Sequence, residues 1–142
     1  MTDFNESFSP SLRVFVYGTL KPGEVNYQRY CDGKVVKATK AFTYGQLFAL
    51  PEGYPAMTPG PHPVYGYLLE FSCVDVLTDL DELEDYDPTR ASSENLYCRQ
   101  EVEIYDLQGR SLGRAWAYFM TPALVDKSGG ILVPNGWWTG DK

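Results

Sequence analysis

Val14-Phe15-Val16-Tyr17-Gly18-Thr19-Leu20-Lys21-Pro22-Gly23 is a short apolar run that breaks off in a glycine-bearing turn. Its β-branched and aromatic residues suit a pleated, buried strand, so residues 12–17 read as the first strand. Gly18 lacks a Cβ, which opens backbone angles closed to other residues and allows a ligand to come close. Pro22-Gly23 then ends the turn. Backbone N–H groups at such a turn make an anion or oxyanion site without any charged side chain. An ordinary surface turn after a strand fits the local pattern as well.

The rest of the chain is consistent with a strand-rich domain. Its 142 residues suit one compact unit with its own core, read as a domain over residues 12–142 behind a flexible tail at 1–11. Hydrophobic residues make up 44% and charged ones 22%, which excludes compositional disorder, and 11 tyrosines, 7 phenylalanines and 3 tryptophans favour β-structure. A net charge of -7 with no basic cluster argues against nucleic acid and against anionic membranes as partners. The N-terminal residues have neither the basic start nor the apolar stretch of a leader, and no run approaches bilayer length, so the expected location is the cytoplasm.

Three cysteines, Cys31, Cys73 and Cys98, have no metal-ligand spacing, and the single histidine, His62, lies between two prolines. No metal site and no Cys-His dyad is expected, and the thiols read as free and buried. Residues 24–31 read as a short helix or an irregular turn. Residues 34–43 and 44–50 read as strands with a bend at Gly45. Residues 51–63 carry five prolines and two glycines and are expected to form a long surface loop. Residues 64–71 return to strand pattern. Residues 97–107 and 112–120 flank Gln108-Gly109-Arg110, a hairpin connection between antiparallel neighbours. Val133-Pro134-Asn135-Gly136-Trp137-Trp138 is too apolar for a free end and is expected to pack back on the sheet or barrel.

Between these strands lies the segment with the sharpest chemical signal. Ser72 reads as an N-cap with Asp75 three positions on, and a helix is expected over residues 73–85. At about 100° per residue, Val76, Leu77, Leu80 and Leu83 form one apolar stripe, and Glu84 falls within it. Glu82 lies opposite, and Asp79, Asp81 and Asp85 lie on the flanks or outside. A carboxyl drawn inward at the negative end of a helix has its pKa raised twice over, by desolvation and by the macrodipole, which suits a proton shuttle. If the helix stops short of Glu84, its side chain reaches water instead. On the following strand Tyr97, Arg99, Glu101, Glu103 and Tyr105 share a face that points into a pocket or into solvent. Arg99 has the fork to hold a substrate carboxylate. No serine, threonine or cysteine stands in a recognisable arrangement with a histidine base, so a hydrolytic triad is not expected.

Tyr17-Gly18-Thr19-Leu20-Lys21-Pro22-Gly23 and Leu80-Asp81-Glu82-Leu83-Glu84, taken together, resemble the two signatures of the γ-glutamylcyclotransferase-like superfamily, in its γ-glutamylamine cyclotransferase branch. Tyr97-Cys98-Arg99 resembles that family's next block, and the likeness runs over residues 14–120. It implies an α+β fold: a small mixed β-barrel or strongly curved sheet with a few flanking helices. It implies catalysis by Glu84 as general acid and base. Substrate binding would fall to Tyr17, Gly18, Thr19 and Leu20, helped by Tyr97 and Arg99, and no cofactor would be needed. The implied ligand is a small γ-glutamyl compound, cyclised to 5-oxoproline with release of its amine. A non-catalytic module that binds a similar carboxylate or amide is the competing expectation. Many members have glycine after the catalytic glutamate; here Asp85 stands there and brings a like charge. The leaving amine and the oligomeric state are not legible in the sequence.

Overall fold

The computed structural model describes residues 12–91 and 95–140, so the expected tail at 1–11 lies outside the described residues. Its elements are β1 (Leu12–Val16), α1 (Tyr27–Tyr30), β2 (Val35–Ala49), β3 (Pro55–Phe71), α2 (Val76–Leu83), β4 (Cys98–Asp106), β5 (Ser111–Phe119), α3 (Pro122–Lys127) and β6 (Ile131–Leu132). The sheet runs β3-β1-β5-β4-β2-β6, and β2 also pairs with β3, which closes five strands into a mixed barrel. Among the described strands only the β1–β5 pair is parallel, at Val14↔Trp116. The other pairs are antiparallel, including the β4–β5 hairpin around Gln108-Gly109-Arg110.

Strand alternation divides the core in two. Phe15, Tyr17, Leu47, Met57, Val64, Leu68, Ile104, Ala115, Ala117 and Phe119 fill the barrel. Leu12, Val14, Val16, Leu69, Phe71, Tyr118 and Met120 face outward into a second cluster, which Val76 and Leu80 of α2 cover. This is why 12–17 reads as almost continuously apolar: the strand is buried on both faces.

The expected loop at 51–63 is instead largely strand. Only its first residues form a turn, and β3 begins at Pro55 and pairs with β2. The prolines are tolerated for a geometric reason. Tyr65 donates its N–H to Gly136 O (2.8 Å) and Met57 O accepts from Met120 N–H (2.9 Å), so these residues turn their amide groups away from β2. Pro55 is in phase with Met57 and Pro63 with Tyr65, so neither ring removes a donor from the β2 ladder. Pro59 and Pro61 fall where the register jumps from Gly45↔His62 to Gln46↔Thr58, and residues 59–61 bulge out without partners on β2.

Other boundaries also differ. Ser72 does not cap α2: residues 73–77 wind through a looser turn, with Leu77 N–H donating to Val74 O at 3.0 Å, and Asp75 takes the N-cap position without a side-chain hydrogen bond. A further helix, α3, starts on Thr121, whose hydroxyl accepts from Leu124 N–H, with Pro122 in its first turn. The aromatic C-terminal segment packs back as expected. Trp138 is buried with the barrel core, Gly136 O holds β3, and the Lys21 ammonium donates to Trp138 O and lies 3.5 Å from the centre of the Trp137 ring. Of the thiols, all free, only Cys31 is buried; Cys98 is half-buried and Cys73 exposed, because it lies in the open turn before α2.

Candidate active site

A cavity of about 200 Å³ opens where the C-terminal ends of β1 and β5 meet the last turn of α2. It exceeds the ~150 Å³ that houses a benzene-sized ligand in an engineered protein cavity, so a group somewhat larger than benzene fits. Its wall includes Tyr17, Gly18, Thr19 and Leu20 from the turn after β1, Tyr54 and Pro55 at the start of β3, Glu84, Tyr97 and Tyr118. No lysine or arginine among the described residues lines it.

The turn after β1 is built as a cradle. The amides of Gly18, Thr19 and Leu20 donate to no acceptor among the described residues. Asn26 fixes the turn at both ends of one residue, donating its N–H to Thr19 O (2.8 Å) and its side-chain amide to Thr19 Oγ1 (2.9 Å). The need for glycine differs from the expectation. Gly18 does not adopt positive φ; a Cβ there would lie 2.6 Å from Pro55 Cγ and 2.8 Å from Pro55 Cδ. Its hydrogen is required by the rigid proline ring that forms the opposite wall. Gly23 is the residue in this segment with positive φ, at 90°.

Glu84 stands at the C-cap of α2 and faces the cavity. The helix ends in a left-handed stop: Tyr86 N–H donates to Asp81 O (2.9 Å) and Asp85 N–H to Glu82 O (3.2 Å), with Asp85 at φ 54. That conformation explains why glycine suits the position after the glutamate. Asp85 itself is exposed and pairs with Arg90 at 3.2 Å, so it is not the like charge acting on Glu84. Burial, and after it the charge of Asp81, push the Glu84 carboxyl up to about 8. No described donor hydrogen-bonds to that carboxyl.

Three of the four phenols around it, those of Tyr17, Tyr97 and Tyr118, are committed elsewhere. Tyr17 donates to Tyr118 O and Tyr97 to Pro55 O, each at 2.6 Å. Both hydroxyls are buried, and burial followed by neighbouring negative charge raises them above the usual phenol range. They brace the walls. Arg99 is not brought to the cavity. Its Nε and Nη2 hold Asp81 at 2.8 and 3.1 Å, and its guanidinium lies over the rings of Trp116 (4.5 Å) and Tyr86 (5.1 Å). Tyr118 OH donates to the same carboxylate at 2.6 Å. Asp81, placed on a flank of the helix by its spacing, is thus half-buried against two strands. Sequence reading did not single out Asn26, Tyr54, Asp81 or Tyr118 as site residues. Of these only Asp81 carried a signal, its place in Leu80-Asp81-Glu82-Leu83-Glu84.

Residues 14–140 match the model of the family described as γ-glutamyl cyclotransferase, AIG2-like. The chain belongs to this family. The match takes in both the cradle and Glu84. A curated relative, the γ-L-glutamyl-butirosin B γ-glutamyl cyclotransferase of Niallia circulans, is 34% identical over 111 residues, covering 78% of this chain and 68% of the relative. The crystal structure of an AIG2-like protein from Mus musculus superposes with a TM-score of 0.57 at 26% identity, over 77% of this chain and 76% of that one. YkqA from Bacillus subtilis superposes with a TM-score of 0.62 at 23% identity over 89% of this chain, which spans 39% of YkqA. The AIG2-like barrel is therefore the fold of this protein. No described helix is long and apolar enough to cross a membrane.

Proposed function

We propose that this protein cyclises the γ-glutamyl group of a small γ-glutamyl amine or amide, releasing 5-oxoproline and the free amine. One observation carries the reading: an up-shifted carboxyl and a turn with three amides, none with a hydrogen-bond partner among the described residues, line the same cavity. Glu84 takes a proton from the substrate α-amine. The amine nitrogen attacks the γ-carbonyl carbon of the same molecule, and the oxygen of the tetrahedral adduct rests on amides of residues 18–20. The new C–N bond closes a five-membered ring. The bond to the leaving nitrogen breaks as Glu84 returns the proton to it, so protons and electron pairs balance and no cofactor enters.

Nucleophile and electrophile are already tethered, so the protein chiefly has to fix a reactive conformer. A positioned base adds about 10² to 10⁴ and an oxyanion donor about 10² to 10³ in rate. The name of the Niallia circulans relative supports the γ-glutamyl class.

The test is mass-spectrometric detection of 5-oxoproline after incubation with a mixed set of γ-glutamyl amides. At least one is expected to yield 5-oxoproline and its amine in equal amounts. Saturable binding with no ring-closed product would assign the cavity to a non-catalytic module, and free glutamate as product would assign water as the nucleophile. Gly18→Ala adds a geometric check. With no room for a Cβ against Pro55, the donors of the cradle are displaced, and kcat/KM is expected to fall by about 10². Parental kinetics in that variant would remove the cradle from the mechanism.

A further inference from the structure

Asp81 makes more contacts than an acid on the flank of a surface helix requires. Its Oδ1 accepts from Arg99 Nε (2.8 Å) and from Tyr118 OH (2.6 Å), and its Oδ2 accepts from Arg99 Nη2 (3.1 Å). Both ion-pair side chains are 15% exposed. A bidentate fork with a third donor fixes the position of the carboxylate. Arg99 is itself held flat over Trp116 of β5 and over Tyr86, the residue whose N–H closes the stop of α2. Three elements thus meet at one carboxylate, a single helical turn before Glu84.

We infer that Asp81 is the positioning residue of the site: it pins the C-terminal end of α2 to β4 and β5 and sets a carboxylate beside Glu84. The inference rests on the reading of Glu84 as the proton carrier and adds what keeps Glu84 in place and ready to hold a proton. A buried like charge disfavours the ionised form of its neighbour. The other titratable groups around Glu84 are the phenols Tyr17 ahead of the cradle, Tyr54 before β3, Tyr97 before β4 and Tyr118 on β5, all raised by burial first. They stay neutral across the working range. Glu52 acts on Tyr54 and Tyr97 from the turn before β3. Arg99, the nearby cation, is spent on Asp81. Tyr118 couples the device to the cavity wall, because its carbonyl accepts from Tyr17 while its hydroxyl holds Asp81.

The experiment follows the Glu84 carboxyl directly by carbon-detected NMR titration of the ligand-free protein, with glutamate side chains labelled. Asp81→Asn removes a negative charge and is expected to lower the Glu84 midpoint by at least roughly half a unit. Arg99→Gln removes a positive charge and is expected to raise it, whereas Arg99→Lys keeps the charge and leaves it near the parental value. With a turned-over substrate, the acid limb of kcat/KM moves in the same directions. In Asp81→Asn, kcat is expected to fall about tenfold or more while KM stays within about twofold, as for lost orientation. A purely structural ion pair would lower the melting temperature of both variants and leave the Glu84 midpoint unmoved, and that result overturns the role of Asp81. If Asp81→Asn does not fold, the upward shift in Arg99→Gln decides. Retained turnover in Glu84→Gln would overturn the proton-carrier reading and this role with it. An unmoved midpoint, with Glu84→Gln inactive, overturns the role of Asp81 alone.

Discussion

Glu84→Gln is expected to lower turnover of a γ-glutamyl substrate by about 10² to 10⁴ while leaving its binding nearly unchanged. The amide keeps the outline of the carboxyl and its place at the cavity wall, but it neither takes the proton from the α-amine nor returns one to the leaving nitrogen. Loss is therefore expected in kcat, with KM close to the parental value. What survives is the contribution of the cradle and of the tethered geometry. Steady-state kinetics on whichever amide yields 5-oxoproline measures this directly, and a variant within tenfold of the parent would take Glu84 out of the reaction.

The same substitution should change stability in a pH-dependent way. Glu84 moves from an ordinary 4.5 to about 8 on folding, so between those values the folded protein holds a proton that the unfolded chain has released. Stability therefore falls as pH rises through that window and stays low above it. The size is on the order of a few kcal/mol, since each unit is worth about 1.4 kcal/mol and the residue is only half-buried. Glutamine carries no charge to bury. Parent and Glu84→Gln should melt together near pH 4.5 and separate above it, with the inactive variant higher by several degrees at pH 9. With Glu84 as the proposed base, activity is expected to follow the same group with the opposite sign. The base must be ionised, so kcat/KM should climb about tenfold per unit below 8 and level off above it. Equal melting temperatures at pH 9, or an acid limb near 4.5, would mean that the carboxyl is solvated.

The same burial that raises this carboxyl also limited what the sequence could reveal. Glu84 was legible because one periodicity, Val76, Leu77, Leu80 and Leu83, sets the inward face and the acid falls on it. Arg99 was assigned to substrate because its alternation gives a face but not an occupant; the occupant came from another element, Asp81 on α2. The proline-rich stretch misled for a similar reason. Missing amide donors forbid a central strand only if those donors would have pointed into the ladder, and at Pro55 and Pro63 they point away from β2. Gly18 was read as a place where a ligand comes close, whereas the group that needs its missing Cβ is Pro55, on a strand in a stretch expected to be a loop.

The sequence by itself determined what is local or periodic. That includes the first strand and the turn that ends it, the helix and the acid on its inner face, the hairpin at Gly109, the return of the aromatic C-terminal segment, and, through two motifs read together, the family. Only the tertiary structure decided which residues share the cavity, which phenols are already bonded, and that Asp81, Arg99 and Tyr118 form one cluster. Those facts depend on side chains brought together across the closed barrel from distant parts of the chain. Their energies come from charges and donors facing one another across elements, and that pairing leaves no trace in the spacing of residues along the chain.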